Sequence, residues 1–256
     1  MLRNNGAIIS TLRTAWKLYR ATLRICFFFA VISAAFAEYF KLYALNSGVG
    51  EAMRGYVETG KLPADLLNVQ SLAFLGLLSM LVTMCVYGFL VCIGGMRVKE
   101  ELKGPKLMKE AFALFKKRFP LFLLVCALNG FLWFIASFLS IFGLWLVTSF
   151  TLILLPSVLL GNVGVWMSFR ENFRLLGSNL LYALQLGFIV VLLLLLKYIV
   201  YAPFLAIGGE GIDAGLEHVL VIFADAFTLP LIIMIMVVAF YELNAQDDMP
   251  INVNKE

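Results

Sequence analysis

The chain shows the same order of polar and apolar positions three times: a basic amphipathic segment followed by two long apolar segments. The amphipathic segments align without gaps at Ala15–Tyr19, Ala111–Phe115 and Asn172–Leu176. The three copies have the same order of polar and apolar positions but few identical residues. The pattern predicts an all-α polytopic membrane protein, one integral membrane domain with six transmembrane helices. We expect three repeats at roughly 6–95, 105–161 and 163–243, each an interfacial amphipathic helix plus two spans, and a tail at 244–256.

Six apolar segments are long enough to cross a bilayer, which takes about 20 mostly apolar residues in a helix. They are roughly Ile25–Leu45, Ser71–Gly94, Leu121–Leu139, Leu144–Leu160, Leu180–Ala206 and Leu216–Tyr241. The composition agrees, since 62% of the residues are hydrophobic and 14% are charged, whereas soluble domains are about half apolar. Only the residues around Ser140–Gly143 separate the third and fourth segments, which predicts a tight hairpin.

The distribution of basic residues predicts the orientation, because Lys and Arg favour the cytoplasmic side of a membrane. If the N-terminus is inside, sixteen Lys and Arg residues lie in the inner segments and three in the outer ones, with Lys197 inside a span. Both termini are therefore expected in the cytoplasm. The net charge of +4 reflects these inner loops and does not point to nucleic acid as a partner.

Each amphipathic segment carries basic residues beside an apolar stripe at helical spacing. This layout is typical of a helix in the headgroup region, with its basic side towards lipid phosphates. The candidate lipid-contacting residues are Arg13, Lys17, Arg20, Arg24, Lys109, Lys116, Lys117, Arg170 and Arg174. Two interpretations fit: the helices only anchor the spans at the inner interface, or they bind anionic lipid, each basic residue contributing about 1 kcal/mol.

Lys197 and Asp225 form a candidate intramembrane pair. Each lies about nine residues from the outer end of its predicted helix, so the two share a depth on neighbouring antiparallel spans. The pair is either a neutralised contact that holds two helices in register or part of an ion or substrate pathway. Weaker polar candidates are Glu38 and Lys41, expected to snorkel at the outer end of the first span; Asn129 and Gln185, expected to hydrogen-bond across helices; and His218, expected to be a solvated boundary residue.

Residues for catalysis or metal binding are sparse. The chain has one histidine and four cysteines, and all four cysteines fall in predicted spans without a CxxC spacing. No phosphate-binding glycine motif is present. We therefore expect no catalytic residue, no cofactor and no metal site.

A stretch across the second hairpin and the third repeat resembles a known family. The residues that carry the likeness are Gly143-Leu144, Leu155-Pro156-Ser157-Val158-Leu159, Gly164, Ser168–Leu175 and Asn179. They are similar to the YciC family of small bacterial inner-membrane proteins, whose function is not established; Asn172 stands where that family has a second serine. Similar repeats occur in the membrane domain of some glycerophosphodiesterases. The resemblance implies a bacterial inner membrane and brings no catalytic residue.

The leading functional hypothesis is a non-enzymatic inner-membrane protein that organises or contacts lipids, or a membrane partner, through its basic helices. The expected partners are membrane lipids, anionic ones in particular, and either another membrane protein or a second copy of the chain. The alternative is a small transporter or channel that uses Lys197 and Asp225, although unbroken helices and the absence of a polar track count against it. A membrane-embedded enzyme is the third reading.

Overall fold

The fold comes from a computed structural model, which describes residues 5–47, 66–100, 102–161, 163–207 and 214–247. Regular structure in these residues is α-helical: α1 (Asn5–Asn46), α2 (Leu66–Glu100), α3 (Gly104–Ser137), α4 (Ser140–Thr151), α5 (Leu154–Leu160), α6 (Val165–Ser178), α7 (Leu180–Ile207) and α8 (Ala214–Asp247). Five helical stretches in the described part are long and apolar enough to cross a membrane, and six if α6 and α7 are counted together. The all-α prediction is confirmed, and the apolar helices are those expected of a multi-pass membrane protein.

The first two amphipathic segments are continuous with the spans that follow them. Helix α1 is unbroken for 42 residues, and α3 for 34 residues with Pro120 in its interior. Between positions 7 and 44 the chain has neither glycine nor proline, so nothing in the sequence ends α1 where the basic segment meets the span. The prediction of a separate basic helix is therefore wrong for these two copies.

The third amphipathic segment is a separate helix. Helix α6 ends at Ser178, α7 begins at Leu180, and the two axes differ by 104°. Gly177, Ser178 and Asn179 are weak helix formers. The side-chain amide Nδ2 of Asn179 donates to the Leu175 carbonyl at 3.0 Å. The side chain of Asn179 thus helps to end the helix by bonding one of its last carbonyls.

The predicted hairpin is present, but its second arm is broken. Helices α3 and α4 are joined by Phe138 and Leu139 alone, slightly before the predicted turn. The predicted span is present, since Ser140–Leu160 as a whole is long and apolar enough to cross a membrane, but its helix is interrupted between Thr151 and Leu154. Pro156 explains the break, because it has no N–H for the Leu152 carbonyl and its ring crowds that group.

Helices α1 and α8 run antiparallel and form the most extensive helix–helix contact among the described residues. Contacts at three levels hold them in register: Thr11 with Glu242, Phe27 with Phe227, and Glu38 with His218. The separation from Thr11 to Glu38 is about 40 Å at 1.5 Å per residue. We call the Thr11 end of the pair the basic end and the Glu38 end the far end.

Small side chains allow α1 to approach its neighbours closely. Thr11, Ala15, Cys26 and Ala30 are fully buried, and Thr22 is nearly so. Of the larger apolar residues on this part of α1, Ile9 and Trp16 are exposed, whereas Tyr19 is buried. Close approach through small residues is the usual way in which helices pack inside a membrane.

Candidate functional site

The basic residues singled out in the sequence all lie on the outside of the bundle. Those on α1 are Arg13, Lys17, Arg20 and Arg24; those on α3 are Lys109, Lys116 and Lys117; and those on α6 are Arg170 and Arg174. The Tyr182 hydroxyl, one turn after α6, lies 3.0 Å from the Thr11 hydroxyl. This contact brings the junction of α6 and α7 to the basic end, beside the amphipathic part of α1.

Aligned positions of the three segments have matching surroundings. The first aligned residue is completely buried in each: Ala15, Ala111 and Asn172. The second is an exposed aromatic residue in each: Trp16 at 49%, Phe112 at 59% and Phe173 at 47% exposure. Every segment therefore presents one aromatic ring and several basic side chains outwards, a combination typical of helices at a bilayer interface.

An apolar groove of about 690 Å³ opens between α1, α2 and α3. Its walls are almost entirely hydrophobic: Phe29 and Ile32 from α1; Leu81, Val82, Cys85, Val86 and Phe89 from α2; and Met108, Phe112 and Phe115 from α3. Among the described residues that line it, Lys109 alone carries a charge. The sequence pointed to Lys109 but not to the groove, because the groove depends on how three separate helices meet.

The groove is elongated, with Lys109 at one end. Phe112, one turn after Lys109, packs against Phe89 with 6.4 Å between ring centroids. On α2, Leu81 lies eight residues before Phe89, which is about 12 Å along the helix. With the turn from Phe112 back to Lys109, the groove is roughly 16 Å long. The groove is therefore a long apolar surface with one basic residue at one end.

A polar cluster at the basic end joins three helices. The Thr11 hydroxyl donates to Glu242 Oε2 at 2.6 Å and lies 3.0 Å from the Tyr182 hydroxyl, which is 3.4 Å from the same carboxylate oxygen. Thr11 and Tyr182 are almost completely buried. Sequence reasoning missed this cluster, because its members are 60 to 231 positions apart and lie on α1, α7 and α8.

A second cluster occupies the far end, and it corrects two predictions. Glu38 is buried, with 7% of its side chain exposed, and does not snorkel. His218 Nδ1 lies 2.7 Å from Glu38 Oε1, and Lys41 donates to that oxygen at 3.1 Å. His218 is therefore a partner of a buried carboxylate and not a solvated boundary residue. The one signal in the sequence was the shared depth of Glu38 and His218 at the outer ends of their helices.

Asp225 lies on α8 and Lys197 on α7, and these two helices pack together. The Lys197 side chain is outside the described residues, so the predicted pair stays a prediction. Asp225 is partly buried and lines a cavity of about 150 Å³ with Ser33, Thr83 and Thr228. The amide oxygens of Asn129 and Gln185, expected to bond across helices, are buried and accept no hydrogen bond from the described part of the chain.

Comparison with models of known protein families, with curated proteins and with solved structures gave no match. Within the described ranges, no group of three His, Cys, Asp or Glu side chains is placed to hold a metal ion. The case for a function therefore depends on the groove, the basic side chains and the polar clusters.

Proposed function

We propose that this chain is a non-enzymatic, multi-pass bacterial inner-membrane protein that binds anionic phospholipid beside its basic segments. An acyl chain occupies the groove between α1, α2 and α3, and the headgroup phosphate lies near Lys109. The observation that carries the proposal is the groove itself, a long apolar surface with Lys109 as its one charged lining residue among those described. The proposal includes both termini in the cytoplasm, since anionic lipid and basic segments favour that side.

The exposed residues of the other segments support the same proposal. Arg13, Lys17 and Arg20 are exposed on α1 near Trp16, and Arg170 is exposed on α6, whose Trp166 is 82% exposed. Aromatic rings favour the headgroup level, and basic side chains contribute about 1 kcal/mol each near an anionic surface. The matching burial of the aligned positions is what a threefold repeat predicts, and we include that repeat in the proposal.

The YciC-like residues fit a structural role within this proposal. Ser168 donates to the Gly164 carbonyl at 2.9 Å, Asn172 donates to the Phe150 carbonyl, and Asn179 donates to the Leu175 carbonyl. Each of these bonds lies at a helix end or a break. These residues thus help to position the separate helix α6, and we include membership of the YciC family in the proposal.

The test compares Lys109→Gln with Lys106→Gln, since Lys106 is exposed on the same helix but does not line the groove. Native mass spectrometry of purified protein would titrate phosphatidylglycerol against phosphatidylcholine. We expect Lys109→Gln to lower the preference for phosphatidylglycerol severalfold, because it removes the amine proposed to lie near the headgroup phosphate. Lys106→Gln should change it less than twofold.

A second variant tests the groove apart from the charge. Leu81→Trp places a larger side chain at the groove end opposite Lys109 and should weaken binding of both lipids. The proposal is wrong if Lys109→Gln and Lys106→Gln have equal effects, or if Leu81→Trp leaves the binding of both lipids unchanged.

A further inference from the structure

A second space lies within the bundle, and its walls differ from those of the lipid groove. This large cavity measures about 330 Å³ and is lined by residues of α2, α3, α4, α5, α7 and α8. Apolar side chains form most of the wall, and hydroxyl and amide groups interrupt it at Thr83, Asn129, Thr148 and Thr151. None of the described residues that line the cavity carries a charge, and none of them lines the groove.

Two threonines of α4 line the large cavity and differ in their hydrogen bonds. Each is 5% exposed. The Thr151 hydroxyl donates to the Val147 carbonyl at 2.8 Å, a common bond for a threonine within a helix. Thr148 Oγ1 is also buried but has no hydrogen-bond partner within the described residues. The Thr148 hydroxyl is therefore left to bond a molecule in the cavity that its side chain lines.

An amide from α3 adds a second unmet group to the same wall. Asn129 Oδ1 is buried and accepts no hydrogen bond from the described part of the chain. An amide oxygen can only accept, so a ligand that satisfies Asn129 Oδ1 must donate. Buried polar atoms without partners are costly in apolar surroundings. Two such atoms on the wall of one cavity indicate an occupant with a hydrogen-bond donor.

The large cavity meets the outer surface of the bundle at Gly130. This glycine lines the cavity and is exposed, and a methyl group added to it would meet nothing within 4 Å. Phe131 and Phe134 on the same helix are 62% and 61% exposed, as expected of side chains that face lipid. A ligand of the cavity therefore enters from the bilayer.

We propose that the large cavity binds a neutral lipid with a free hydroxyl group, of the diacylglycerol class. The hydroxyl donates to Asn129 Oδ1, a lipid oxygen accepts from the Thr148 hydroxyl, and the acyl chains pass Gly130 into the bilayer. The lipid is uncharged because no described wall residue offers a counter-charge, and an unpaired ion is costly in apolar surroundings. This site does not depend on the anionic-lipid groove.

Native mass spectrometry of the purified full chain tests the site with 1,2-dioleoylglycerol and its 3-O-methyl ether, which keeps both acyl chains but cannot donate. We expect the unmodified protein to bind the alcohol at least fivefold more tightly than the ether. Asn129→Leu should reduce this preference to less than twofold. Thr148→Val should weaken the binding of both lipids severalfold. Thr151→Val is the matched control and should change it less than twofold, because the Thr151 hydroxyl is already bonded within its helix.

Thermal unfolding of the lipid-free protein separates lost binding from lost folding. Thr148→Val removes a hydroxyl without a partner in the described residues, so it should not lower the unfolding midpoint; a lower midpoint overturns the proposal. Equal binding of the alcohol and the ether also overturns it, as for a cavity that holds only water. So do equal effects of Thr148→Val and Thr151→Val on binding. Lys109→Gln should leave the preference for the alcohol unchanged, which distinguishes this site from the groove.

Discussion

The α1–α8 pair and the region from α4 to α7 both contain long apolar stretches, yet they are built in opposite ways. Helices α1 and α8 are continuous, with 42 and 34 residues, and polar clusters join them at both ends. In the other region the chain breaks between Thr151 and Leu154 and bends by 104° after Ser178. The contrast shows that hydropathy predicts where a span lies but not whether its helix is continuous, since Pro156 follows a break whereas Pro230 lies inside the continuous α8.

A donor from another helix compensates for the first break. Asn172 on α6 donates to the Phe150 carbonyl, a group close to the break before Leu154. In an apolar environment such a carbonyl needs a partner, so this break depends on a side chain from α6.

The largest expected effect concerns the close approach of α4 and α7. A methyl group added at Gly187 would lie 2.1 Å from Ser149 Oγ and 2.7 Å from Ser149 Cα. Because backbone must move, Gly187→Ala should cost about 3 kcal/mol, the upper part of the range for overpacking. Gly130→Ala in the continuous α3 meets nothing within 4 Å and should be neutral or slightly stabilising. Thermal unfolding in detergent measures the stability of both variants. Equal unfolding midpoints for the two variants would contradict the close approach of α4 and α7.

The second prediction removes a replacement donor. Asn172→Leu keeps the side-chain volume but leaves the Phe150 carbonyl without the amide that it now bonds. Stranding a buried carbonyl costs about 2 kcal/mol, and the same unfolding assay would detect it. Ser178→Ala, at an exposed position of the same helix, is the control and should change stability by less than about 0.5 kcal/mol. A neutral Asn172→Leu would show that the break needs no donor from α6.

Much of this architecture follows from the sequence. The apolar segments are found near their predicted positions, and the hairpin before Ser140 and the separate α6 are confirmed. The continuity of α1 was missed because a change from basic to apolar residues looks like a boundary, although no residue there opposes a helix. The cause of the break before Leu154, Pro156, is visible in the sequence, but a proline alone does not show whether a helix kinks or stops.

The candidate sites were less predictable than the spans. All nine basic residues are exposed, as their helical spacing indicated. The groove, the cavity beside Asp225 and both polar clusters depend on the register between helices that are distant in sequence. His218 and Glu38, for example, are 180 positions apart and meet only because α1 and α8 pair antiparallel over about 40 Å. Such a register is a property of packing and leaves little trace in one sequence.

The smallest expected effect tests the polar cluster of the continuous pair. Thr11→Val keeps the shape of the side chain but removes the hydroxyl that donates to Glu242 Oε2 at 2.6 Å. Hydrogen bonds to charged groups are worth about 1.5–3 kcal/mol. We expect a loss in unfolding free energy near the lower value, about 1.5 kcal/mol. The Tyr182 hydroxyl lies 3.4 Å from the same oxygen and needs only a small movement to donate to it more closely. Thr14→Val, at an exposed position one turn along α1, is the matched control. If Thr11→Val costs more than Asn172→Leu, the continuous pair depends on side-chain donors as much as the broken region does, and the contrast drawn between them fails.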